Sequence, residues 1–194
     1  LLPKGSVSFM FYADRLNQLP IGVVGVAVGT AILPLLSRLV AQKDQSAALQ
    51  ALNRAIELTL FLALPAMFAF LLTADELILT LFQRGQFDAA AVRATAFALT
   101  AYAVGLPAYV LVKVLGPAFF ARRDTRTPVL VGIGAMVVNV ILNLILMQFL
   151  AHAGLALATA IAAWLNVGLL SWILYHRGDL VPDHRLIQRL GRAL

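Results

Sequence analysis

Apolar runs of 18 or more residues recur along this 194-residue chain, separated by short charged turns. Each run approaches or exceeds the ~20 apolar residues that a helix needs to cross the hydrocarbon core of a bilayer. In lipid every backbone N–H and C=O must be satisfied internally, so only helices and closed barrels can span. A barrel would show segments of roughly ten residues with alternating polarity, and the sequence contains none. Composition agrees: 61% of residues are hydrophobic and 12% charged, with a mean hydropathy of +0.89. A soluble domain is nearer ~45–50% apolar and ~25% charged. The chain reads as an all-α polytopic membrane protein.

Five spans are expected, over about residues 7–40, 46–73, 88–120, 127–150 and 154–175. Ser46 is a plausible N-cap for the second. Residues 73–87 read as a re-entrant or interfacial turn broken at Gly85. Pro20 with Gly22 predicts a kink in the first span, because proline removes a backbone bond and crowds the preceding turn. Gly105-Leu106-Pro107 and Gly116-Pro117 predict interruptions of the third.

Lys and Arg set the direction of insertion. The turns after spans one, three and five hold Arg38, Lys43, Arg54, Arg122, Arg123, Arg126, Arg177, Arg185, Arg189 and Arg192, and the opposite side holds Lys4, Arg84 and Arg93. Ten against three makes the former side cytoplasmic, so the first span runs from outside inward. The net charge of +6 therefore belongs to topology and anionic lipid rather than to nucleic acid. With no Cys, disulfides, thiolate metal sites and cysteine catalysis are excluded from this stretch. The chain opens Leu-Leu-Pro-Lys-Gly and closes in a basic amphipathic stretch, 178–194, that leads nowhere. Both ends are expected to be internal to a longer protein.

Asp14 and Arg15 lie side by side in the outer half of the first span. A charge at mid-bilayer costs at least ~2.5–3.5 kcal/mol on insertion scales, so such residues face a polar cavity or a partner. The fork of Arg15 matches phosphate or carboxylate oxygens; the plainer alternatives are a structural arrangement with Asp14 or snorkelling to the interface. Neighbours on a helix point about 100° apart, so adjacency alone does not pair them. Lys113, nine residues before Arg122, either snorkels or adds a second anion contact at another depth. Asn139 and Asn143 share one helix face four residues apart, and Thr159 follows across the turn containing His152. Their oxygens suit either a small hard cation such as Na+ or interhelical hydrogen bonds. Gly22, Gly25 and Gly29 form a small-residue stripe suited to close helix approach. No HExxH, P-loop, GxSxG or paired-carboxylate constellation is present, which leaves hydrolytic and metal-dependent chemistry without apparatus.

Several segments taken in order carry a resemblance. They are Gly5-Ser6-Val7-Ser8, Tyr12-Ala13-Asp14-Arg15-Leu16, Leu19-Pro20-Ile21-Gly22-Val23, Ala31-Ile32-Leu33-Pro34-Leu35-Leu36-Ser37, Leu81-Phe82-Gln83-Arg84-Gly85-Gln86-Phe87, Tyr102-Ala103-Val104-Gly105-Leu106, and Phe119 through Pro128. Together they resemble the MurJ/MviN family of lipid II flippases. The resemblance implies a fourteen-helix fold of the multidrug/oligosaccharidyl-lipid/polysaccharide (MOP, MATE-like) exporter superfamily. This chain would supply helices eight to twelve of its second lobe over residues 1–177, with 178–194 leading to the next helix. It implies that Arg15, with Asp14 and Lys113, lines the cavity that takes the lipid pyrophosphate. Asn139, Asn143, Leu155 and Thr159 match the helix-eleven and helix-twelve contributions to a Na+ site found in some members. Where such a member carries Asp this chain has Asn143, and a lost carboxylate removes charge that a cation site needs; the Asp that helix seven gives to such a site is outside this segment. No other cofactor is implied.

The function expected is translocation of undecaprenyl-pyrophosphate-linked peptidoglycan precursor from the inner to the outer leaflet of the bacterial inner membrane by alternating access. Pro20, Gly22, Gly105 and Pro107 would act as hinges. The partners expected are lipid II, membrane lipids, and the first lobe and last two helices of the same protein; no nucleic acid and no enzymatic chemistry are called for. Two alternatives remain open from the sequence: a superfamily exporter with another cargo, polysaccharide-lipid or drug and cation, or a transport-dead scaffold.

Overall fold

The computed structural model describes residues 6–85 and 87–181. Among them the regular elements are helical: α1 (Ser6–Pro20), a π segment (Ile21–Val26), α2 (Ala27–Ala41), α3 (Gln45–Phe82), α4 (Ala89–Phe120) and α5 (Arg126–His176). Four continuous helical stretches are long and apolar enough to cross a membrane: residues 7–41, α3, α4 and α5.

The last of these is two passes. At ~1.5 Å per residue a straight 51-residue helix would separate its ends by roughly 75 Å, yet Arg177 donates to Thr127 Oγ1 at 3.1 Å. The reversal lies at Ala151, with φ 48° and ψ −125°, in the left-handed half of the map where a Cβ is crowded. A Cβ on Gly154 would meet the Leu146 carbonyl, so the turn closes only around a glycine. The arms 126–150 and 152–176 therefore run antiparallel, and the expected five passes are present.

α4 is the hub. It packs against α1, α2, α3 and α5, and its buried residues lie all round it, many of them alanines such as Ala91, Ala96, Ala98, Ala103, Ala108 and Ala118. Small side chains let helices approach closely where lipid offers no hydrophobic drive. The first arm of α5 is peripheral: Val129, Leu130, Ile133, Met136, Leu144 and Phe149 are all exposed.

Three expectations are corrected. The N-cap of α3 is Asp44, whose carboxylate accepts from Ala47 N at 2.9 Å; Ser46 lies inside the helix. Helix α3 continues through the expected re-entrant region as far as Phe82, bending only at Thr73 (φ −121°, ψ 17°), because Ala74 and Ile78 are packed against α1 and α4. The interruptions expected at Gly105-Leu106-Pro107 and Gly116-Pro117 are absent, and α4 is helical across both. Asp88 does cap α4, accepting from Ala91 N at 2.8 Å, and Gly85 does end the preceding turn at φ 57°. In the 178–194 stretch, residues 182–194 lie outside the described residues.

The two ends of the bundle differ chemically. At the end carrying Lys43 and Arg122, Arg122 pairs with Asp179 at 2.9 Å and Arg177 with Asp124 at 2.6 Å. Gln45 and Asn53 donate to the carbonyls of Gly178 and Val181. The opposite end is aromatic: Tyr12 packs on Phe82 and Phe87, and Phe9 on Phe87 and His152. His152 Nε2 also donates to Ala94 O at 2.9 Å.

Candidate functional site

Local packing decides what α1 presents. Ala13, Leu16 and Asn17 are buried, so the adjoining face of the same helix turns outward, with Asp14 half-buried and Arg15 exposed. The Arg15 guanidinium lies over the Phe11 ring, 4.8 Å from its centroid, and Nη1 donates to Gln18 Oε1 at 3.3 Å. Gln18 donates in turn to Asp14. Phe11, Asp14, Arg15 and Gln18 thus form one ladder at helical i+3 and i+4 spacing. Among the described residues no carboxylate lies within ion-pairing distance of Arg15. Gln18 stands between the two charges and holds both, which leaves most of the five donors of Arg15 for a ligand.

The helix changes character directly after Pro20. Proline offers no N–H to the Leu16 carbonyl, and the next six residues adopt the wider π spacing that marks many functional sites. The irregularity expected at Pro20-Gly22 is present, as a π segment rather than a break.

That segment meets Lys113. A Cβ on Gly25 would come within 2.8 Å of Lys113 Cδ, and one on Gly29 within 2.7 Å of the Lys113 carbonyl. Two members of the glycine stripe therefore do allow close approach to α4; Gly22 has nothing within 4 Å. Lys113 is exposed and lines a groove of about 420 Å³ together with Gly25, Thr30, Phe120, Pro128 and Asn166. Arg15 is not part of that groove. It lies ten residues before Gly25, roughly 15 Å along the helix, so the two cations stand at different depths.

Asn143 Nδ2 donates to Asn139 Oδ1 at 2.7 Å, and Thr159 Oγ1 donates to Leu155 O at 2.9 Å. Both bonds stay within their own arm of α5. Asn143 Oδ1 is buried without a partner. The donor set for a cation is thus four neutral oxygens, and no cluster of three His, Cys, Asp or Glu residues exists among the described residues. These residues bring a cation no charge of their own. Gly105 sits against the Tyr109 ring and, at 2.8 Å from a built Cβ, against Ala160 Cα; Pro107 is buried.

Sequence reasoning missed three polar residues. Gln18 was legible, standing i+4 from Asp14 and i+3 from Arg15. Asn17, beside Gln18, is 2% exposed with Oδ1 unpartnered, and Asn166, alone in an apolar run, has a likewise buried and unpartnered Oδ1. Only packing reveals which way they face.

Outside the spans, Asp124 organises the turn between α4 and α5. Thr127 donates to it from its hydroxyl at 2.6 Å and its backbone N–H at 3.0 Å, and Arg177 adds a charged bond. These donors hold the Asp124 carboxyl well below the usual carboxylate range.

Comparison with known proteins agrees with this architecture. The family model described as lipid II flippase MurJ matches residues 1–193. The probable lipid II flippase MurJ of Rhizobium tropici is 43% identical over 191 residues, covering 98% of this chain and 36% of the relative. That of Vibrio cholerae is 40% identical over 169 residues, covering 87% and 32%. The lipid II flippase MurJ of Burkholderia cenocepacia is 38% identical over 197 residues, covering 100% and 38%. A solved structure of lipid II flippase MurJ in an inward closed conformation superposes with a TM-score of 0.80 at 30% identity, over 89% of this chain and 36% of that one. The chain spans about a third of the length of these relatives. It is a multi-pass helical membrane protein, and it belongs to the lipid II flippase MurJ family.

Proposed function

We propose that this chain is the second-lobe portion of a flippase that carries lipid II from the inner to the outer leaflet of the bacterial inner membrane. The observation that carries the reading is Arg15: a permanent cation on an outward-facing ladder, held in place by Phe11 and Gln18 yet without a carboxylate partner among the described residues. Such a group suits the pyrophosphate of a lipid-linked headgroup, which a guanidinium fork can grip by two oxygens. Asp14 fixes Gln18, and through it Arg15. Lys113 adds a second positive charge at another depth.

Residues 1–177 would form helices eight to twelve of a fourteen-helix protein, with 178–194 leading to the thirteenth. The first lobe would close the other wall of the cavity, and the lipid tail would stay in the bilayer. Alternating access needs bending elements, and the π segment after Pro20 would be one, with open space where a side chain on Gly22 would stand. Gly105 and Pro107 would be a second, on the central helix. No covalent step and no cofactor enter this reading. At Asn139, Asn143, Leu155 and Thr159 this chain would offer Na+ neutral oxygens alone. The membrane potential could drive the cycle, being worth about 2.3 kcal/mol per charge per 100 mV.

The test is rescue of cells depleted of their own lipid II flippase by the full-length parent protein. Wild type should rescue, Arg15→Ala should fail and Arg15→Lys should rescue poorly. Rescue by all three would remove Arg15 from the mechanism. Failure of well-inserted wild type would point to another cargo of the superfamily or to a scaffold.

A further inference from the structure

Two polar groups meet in the groove beside Gly25, apart from Arg15. Lys113 brings an ammonium, and Asn166, on the second arm of α5, brings a buried carbonyl oxygen with no hydrogen-bond partner. A buried amide oxygen left unpaired is costly, so Asn166 calls for a donor from outside the chain. The stem of Lys113 is also constrained. It lies across Gly25, where a Cβ would stand 2.8 Å from Cδ and 3.4 Å from Val110 Cγ1. A lysine that snorkels runs toward the nearer interface, whereas the stem of this one lies back along Gly25, where the missing side chain leaves it room. The groove reaches Phe120 and Pro128, at the end of the bundle where the basic residues gather, so a ligand could enter from that side.

We propose that this groove is a second headgroup subsite, for an anionic oxygen group flanked by an N–H or O–H donor. Lys113 meets the anion, Asn166 accepts from the neighbouring donor, and Gly25 is the positioning residue that keeps the Lys113 stem in place. This rests on the flippase reading and deepens it. Arg15 takes the pyrophosphate, and the groove takes a carboxylate beside an amide, which is the chemistry of the peptide carried by the lipid.

The experiment measures binding to the purified full-length protein with two probes, lipid II and undecaprenyl pyrophosphate, which has the pyrophosphate but neither sugar nor peptide. Lys113→Met and Asn166→Leu should each weaken lipid II by about tenfold, the scale of one lost charge-assisted or buried hydrogen bond, and leave undecaprenyl pyrophosphate unchanged. Arg15→Lys should weaken both probes. Gly25→Val should mimic Lys113→Met and add nothing in the Lys113→Met background, whereas a purely structural glycine would add its own loss. Equal losses for both probes, or none for lipid II, would overturn the subsite. So would failure of a membrane-impermeant thiol reagent to label Asn166→Cys, since the groove would then be closed by the rest of the protein. If wild type binds neither probe while remaining folded, the flippase reading itself falls, which the variants alone would not show.

Discussion

At the scale of single residues, the sharpest contrast is between charges that are paired and charges that are held ready. Arg122 and Arg177 each meet a carboxylate, while Arg15, among the described residues, meets a ring and an amide. Asp124 shows what pairing does to a titration. Its pKa is depressed by the Thr127 hydroxyl and N–H and by Arg177, so its stabilisation is fully present above the ordinary carboxylate pKa. It is lost as pH falls through the lower value of the folded state. Asp124→Asn should therefore lower stability by roughly 1 kcal/mol or less at neutral pH, as water-facing pairs do. Thermal unfolding at successive pH values should show the gap to wild type closing only below about pH 4. A gap that is constant with pH would mean that the carboxylate charge is not what matters there.

At the scale of helices, the glycines separate by what stands opposite them. Gly29→Ala and Gly154→Ala each drive a Cβ into backbone carbonyl oxygen and should cost about 1–3 kcal/mol, the usual range for overpacking. Gly132 and Gly168 have nothing within 4 Å, and their alanine variants should be neutral or stabilise the helix by up to about 1 kcal/mol. Denaturation of the four purified variants would sort them. Gly22 is the informative case: its surroundings are open, so a transport loss in Gly22→Ala at unchanged stability would report bending of the π segment. The sequence showed five passes, the start of the third near residue 88, the break at Gly85 and an irregularity after Pro20, because each is set by local chemistry. It did not show that α4 stays helical through Pro107 and Pro117, or that α3 runs on past Thr73. Those outcomes depend on contacts between distant parts of the chain, Ala160 against Gly105 and Ala74 and Ile78 against α1 and α4. The same holds for the groove: Lys113 was visible as a charge, but Asn166 became a candidate only once the second arm of α5 was folded back beside it.

At the scale of the molecule, the bundle has a basic end and an aromatic end, and the positive-inside rule assigns the basic one to the cytoplasm. In the full-length protein in intact cells, Lys43→Cys and Arg123→Cys should be protected from impermeant thiol reagents, and Arg84→Cys should be labelled. The reverse pattern would invert the topology and place Arg15 in the inner half of the membrane. The folding back of α5 has a further, mechanical consequence. Arg177 grips Asp124 and Thr127 across the feet of the two arms, while His152 fastens their summit to α4. The arms are thus a closed staple rather than two rods in series. Pulled from the C-terminal side by a cantilever, the protein should give up this pair in one rupture event; severing the grip with Arg177→Ala should split that event into two shorter steps.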